Sequence, residues 1–188
     1  MTDVVSASPP AVKPRLRGWI HFWSLVVSLA AGATLIALAA ATVSASAALG
    51  TSVYVGTVLG LFGISALYHR KTWKTVGART WMRRLDHSMI FLFIAGTYTP
   101  LAMLSMSPTT GKLVLAIVWG GALSGVILKL AWPNGPRWVG VPVYIALGWV
   151  AIFVLPELLT NAGVAPLVLI LVGGVLYTTG GIFYAMRW

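Results

Sequence analysis

The chain alternates between long apolar stretches and short polar ones. Six stretches, at about residues 20–41, 54–69, 85–105, 113–132, 139–155 and 164–186, are apolar around the whole helix circumference rather than along one face. A helix needs about 20 such residues to cross roughly 30 Å of hydrocarbon, so each is expected to span a membrane. Turn formers separate them: Ser107-Pro108 with Gly111, then Pro133-Asn134-Gly135-Pro136, then Pro156 with Asn161-Ala162-Gly163. Strands of a membrane β-barrel would instead alternate polar and apolar residues with period two, and no stretch does so. The expected fold is all-α, an integral membrane helical bundle.

The first stretch has a basic flank, and Val43-Ser-Ala-Ser-Ala47 after it looks like a signal-peptide cleavage site. A signal core is only about 7–15 residues long. This stretch is longer and is expected to remain as a helix. Residues 1–18, with Ser8-Pro9-Pro10, are expected to form a tail ahead of one transmembrane domain over 19–188.

Composition agrees with the pattern. Hydrophobic residues make up 59% of the chain and charged residues 9%, against about 25% charged in a typical soluble domain, and the mean hydropathy is +0.90. A soluble protein of this size has no interior large enough for so much apolar surface. With no cysteine, disulfides and thiolate metal sites are both excluded. Gly56/Gly60 and Gly121/Gly125 have the spacing of close helix packing.

The net charge of +10 is concentrated between the apolar stretches. Lys13, Arg15 and Arg17 precede the first. Arg70, Lys71, Lys74, Arg79, Arg83 and Arg84 follow the second. Lys129 and Arg137 edge the loop after the fourth, Arg187 follows the sixth, and the opposite loops carry only Lys112. The positive-inside rule then puts the N-terminus in the cytoplasm, and the chain is expected to be a multi-pass protein of the plasma membrane. Trp19, Trp23, Trp73, Trp81, Trp132, Trp138 and Trp188 fall near the same boundary, where indole rings favour the interface. The basic 70–84 segment is read as an orientation signal that attracts anionic headgroups, at about 1 kcal/mol per basic residue, and not as a nucleic-acid patch.

Against this background a few ionisable residues stand out, because a charge near hydrocarbon is expensive. The chain has three acidic residues and three histidines. With the topology above, Ser65 and His69 lie near the cytoplasmic end of the second helix, four apart and on one face. Asp86 opens the third helix at the same depth, and His87 is turned about 100° away from it. Imidazole is a standard zinc ligand, and a carboxylate or hydroxyl beside it can orient or deprotonate a water. Two plainer readings remain open: His69 as an interfacial residue, and Asp86 as a carboxylate at a helix N-terminus, paired with arginine. Glu157 falls at the opposite end of its helix, as a solvated residue of an external turn. His21 is on the correct side but without a partner pattern, and is read as interfacial.

Ser65-x-x-x-His69, followed by Arg84-Leu-Asp-His-Ser-Met-Ile-Phe-Leu-Phe-Ile-Ala-Gly-Thr-Tyr-Thr-Pro100, resembles bacterial hemolysin III, of the progestin and adiponectin receptor group of membrane proteins. The likeness extends from about His21 to Trp188, including Tyr177-Thr-Thr-Gly-Gly-Ile-Phe-Tyr184. It implies a seven-helix bundle with a cytoplasmic N-terminus, of which six helices are present here. It implies a zinc site in which His69 is a ligand, Asp86 holds the zinc-bound water, and Ser65 belongs to the same motif. The family's other two ligands are an H-x-x-x-H pair on a seventh helix, and this sequence, with only His21, His69 and His87, has neither. The chain is therefore expected to be a fragment or truncated product rather than a protein that has lost the site. The implied activity is zinc-dependent hydrolysis of a lipid amide or ester, incomplete in this chain. The alternatives are a pore-forming cytolysin and a membrane-homeostasis or sensor protein without catalysis.

Overall fold

Hydrocarbon offers no partners to backbone N–H and C=O groups, so each apolar stretch must pair them internally. In the computed structural model every such stretch is helical. The structure describes residue 16, residues 18–132 and residues 137–186. The basic tail with Lys13, Arg15 and Arg17, the 133–136 turn, and Arg187 with Trp188 lie outside the described residues, as do the side chains of Arg137 and Trp138.

The described residues form seven helices in order: α1 (Trp19–Thr42), α2 (Ala45–Arg70), α3 (Val76–Ser105), α4 (Pro108–Ala131), α5 (Arg137–Gly148), α6 (Leu155–Ala162) and α7 (Val164–Met186). A 3-10 segment, Trp149–Val154, joins α5 to α6 and makes them one broken span. Counted this way, the described residues hold six helices long and apolar enough to cross a membrane, and no strand. The all-α membrane bundle is borne out.

Local chemistry moved several boundaries. Ser44 caps α2, its Oγ accepting from Ala47 N at 3.0 Å, so the stretch resembling a cleavage site is the turn into α2. Thr75 caps α3 in the same way, accepting from Ala78 N at 3.1 Å. Arg79, Arg83 and Arg84, expected in a loop, therefore lie on α3, where long straight side chains lose little rotamer freedom. Asp86 sits in the body of α3 and not in its first turn, so the helix-dipole explanation for it falls away. At the far end, Pro156 starts α6, a position where its missing N–H is harmless, and Gly163, at φ +85°, ends it.

α3 is the central helix, packed by α2 on one side and by α4, α5 and α6 on the others. Half of its most apolar window is buried, against 11% for α1 and 6% for α7, which form the edges. Small residues set the crossings. Gly60 meets Met89, Gly121 meets Leu147 and Gly125 meets Phe91, but Gly56 faces open space and packs against nothing. The second half of the long third-helix motif is structural. Tyr98 Oη donates to Gly148 O (2.6 Å) and accepts from Ala151 N (2.7 Å), bridging the break in the fifth span. Thr99 Oγ1 accepts from Trp119 Nε1 at 3.2 Å.

Candidate functional site

The site is assembled where the entry of α1 and the end of α2 meet the body of α3. α2 ends at Arg70, one residue past His69, and α3 brings Asp86 alongside. The two side chains approach to 3.9 Å, His69 Nε2 to Asp86 Oδ2, and are 17% and 15% exposed. Ser65 lies one turn deeper on the same face of α2 and is buried. His87 turns back along α3, its Nδ1 2.8 Å from Arg83 O. The pairing of His69 with Asp86, and the exclusion of His87 from it, agree with the sequence.

The reading of His21 needs correction. Its ring stacks on that of His69, with centroids 6.1 Å apart and planes 18° from parallel, and it also meets Phe62 at 6.0 Å. Its Nδ1 is buried without a hydrogen-bond partner. Gly18 makes the approach possible. At φ +86° it holds a left-handed conformation that a side chain resists, and it lies directly against His69 and Arg70. The Arg70 guanidinium lies over the rings of Trp19 and Phe22, at 4.1 and 4.5 Å, which ties the ends of α1 and α2 together. A contact between helices leaves no trace in spacing along either one. The only available signal was a histidine close to a glycine at the entry of an otherwise apolar helix.

Glu157 also differs from expectation. It lies at the opposite end from His69, but in α6 and with a partner: its carboxylate accepts a hydrogen bond from Ser107 N, at the turn between α3 and α4. Asn161 Nδ2 donates to Ser105 O nearby. These contacts tie α6 to that turn.

A metal centre can be tested on the donors. Catalytic zinc takes about three protein ligands at roughly 2.0–2.2 Å. Among the described residues no group of three His, Asp or Glu side chains is placed to hold a metal ion. The His21 ring does not complete a set, because imidazole lone pairs lie in the ring plane and two nearly parallel rings do not aim at one point. His69 and Asp86 supply suitable donor types, but too few. The residues present do not fit a complete zinc site.

The haemolysin-III related family model matches residues 10–188. The chain belongs to this family. It is 32% identical over 167 residues to a hemolysin-3 homolog of Bacillus subtilis (strain 168), covering 89% of this chain and 78% of that one. It is likewise 32% identical over 185 residues to hemolysin-3 of Bacillus cereus, covering 98% and 84%. No solved structure matches the chain significantly. The family match starts earlier than the likeness read from the sequence, and takes in Gly18.

Proposed function

We propose that this haemolysin-III related protein lies in the plasma membrane with its basic end in the cytoplasm, and that the His69–Asp86 end is a hydrolytic site for an amide or ester bond of a membrane lipid. One observation carries the reading. In a chain that avoids ionisable groups, two of them are brought from different helices to within 3.9 Å and kept partly accessible. Such placements are functional by default, because structure alone gains little from a charge near hydrocarbon. His69 is the nitrogen donor or base, Asp86 orients it or a water, and Ser65 is the third polar member of the motif.

Zinc is the cofactor that the resemblance implies, with His69 as a ligand. The described donors fall short of it, so no step is routed through the metal. Elemental analysis of the purified chain is expected to find well under one zinc per protein and lipid assays little turnover. A version extended at its C-terminus by an apolar helix carrying an H-x-x-x-H pair is expected to hold one zinc. It should also release fatty acid from lipid amides or esters, and lose both properties on His69→Ala. Absence of zinc from the extended protein would sink the proposal.

A second reading is favoured by the relatives' name, hemolysin-3, namely that the protein permeabilises membranes. Dye release from vesicles by the wild type, left unchanged by His69→Ala and Asp86→Ala, would establish this reading and retire the hydrolytic one.

A further inference from the structure

The basic end of α3 carries a second polar group, on a flank different from the one that presents Asp86 to α2. Arg84, His87 and Ser88 stand at positions i, i+3 and i+4 and share a face of the helix. One turn deeper, the same flank meets α4, where Gly125 lies against the Phe91 ring with no space for a Cβ. α3 and α4 run antiparallel, so Lys129, one turn beyond Gly125, comes level with His87. The Lys129 side chain is half-buried. It lies against Gly140 of α5, where an added Cβ would fall 2.5 Å from Nζ.

Two of these groups lack the partners that buried polar atoms require. Ser88 is only 3% exposed, and its Oγ has no hydrogen bond, although a helical serine can ordinarily bond a carbonyl one turn back. Arg84 Nε is buried and unpartnered as well, with its guanidinium over the Trp81 ring at 4.6 Å. His87 stands between them with Nδ1 against the Arg83 carbonyl. It feels both Lys129 and Asp86 electrostatically. No described carboxylate completes the group: Asp86 approaches His69 and Glu157 is at the other end of the bundle. Two half-buried cations and a buried hydroxyl, with no described carboxylate among them, are costly unless something fills the place.

We infer that Arg84, Ser88 and Lys129 form a site at the basic ends of α3, α4 and α5 for one phosphate group, carried by an anionic lipid or free in solution. A phosphate oxygen shell accepts from a guanidinium, an ammonium and a hydroxyl together, and the site lies where a span meets the headgroup layer. It uses none of Ser65, His69 or Asp86, and stands whether or not those residues hydrolyse anything.

The test uses the full chain in detergent. Native mass spectrometry counts retained lipid when phosphatidic acid and phosphatidylcholine are offered together, and ³¹P NMR follows inorganic phosphate without lipid. One phosphatidic acid per chain is expected in preference to phosphatidylcholine. Lys129→Gln should weaken retention about tenfold, from the loss of a charge-assisted hydrogen bond, and Ser88→Ala should weaken it severalfold. Lys74→Gln, which removes an equal charge at the same end, and His69→Ala should change nothing. Phosphate line broadening that Lys129→Gln abolishes identifies a site open to free phosphate; phosphatidic acid retention without it identifies a headgroup site. Equal losses in Lys74→Gln and Lys129→Gln overturn the inference, as does binding of neither ligand. If Lys129→Gln does not fold, Ser88→Ala decides, and unchanged retention in it also overturns the inference.

Discussion

Gly18 decides how closely the entry of α1 can approach the end of α2. A Cβ there would fall 2.8 Å from His69 Cβ and 2.9 Å from Arg70 Cγ, at a φ of +86°. Gly18→Ala therefore adds a left-handed backbone penalty of about 1–2 kcal/mol to a clash that pushes His69 away. The expected outcome is a lower melting temperature together with shifted imidazole resonances of His21 and His69. With only three histidines in the chain, ¹⁵N-histidine NMR separates them, and unmoved resonances would show that Gly18 does not hold the two rings together. His21→Phe keeps a ring against Phe62 and His69, and is expected to disturb stability less than His21→Ala. At this scale the sequence was informative where residue types were rare. His69 and Asp86 were legible because an apolar chain spends few ionisable groups. His21 was equally rare, but its significance depends on which helix it faces.

The fifth span shows what pattern conveys about elements and what it omits. Its apolar run was legible, but not its extension past Pro156 nor its break at Trp149–Val154. The break is held from α3, fifty residues away in sequence, through the Tyr98 hydroxyl on Gly148 O and Ala151 N. A periodicity within one segment carries no record of such a partner. Tyr98→Phe leaves two backbone groups without it in surroundings that offer no water. A loss of about 1–3 kcal/mol is expected, toward the lower end where the unfolded chain in detergent finds other partners. Titration with sodium dodecyl sulfate, followed by circular dichroism, measures it. A wild-type midpoint in Tyr98→Phe would mean that the 3-10 segment holds itself. Half of the family-like string in α3 is thus explained by helix packing, and Asp86 is its member in the proposed hydrolytic site.

At the scale of the whole molecule, two properties set how the bundle sits in its membrane. The edge helices α1 and α7 bury little of themselves, so their apolar faces require lipid or other helices to cover them. The charge asymmetry sets direction: Arg70, Lys71, Lys74, Arg79, Arg83, Arg84 and Lys129 gather at the end that holds His69, while among the described basic residues Lys112 stands alone at the other. Insertion retains short, Lys- and Arg-rich loops in the cytoplasm, so the site is expected to face inward. The absence of cysteine makes this directly measurable, since every introduced thiol is the only one present. Lys74→Cys is expected to resist a membrane-impermeant maleimide in intact spheroplasts and to react after lysis, whereas Lys112→Cys should react in both. Both positions flank spans and avoid the packed face of α3, so neither replacement should disturb the fold. The reverse labelling would place His69 and Asp86 outside the cell, and a substrate of the proposed site would then have to come from the outer leaflet.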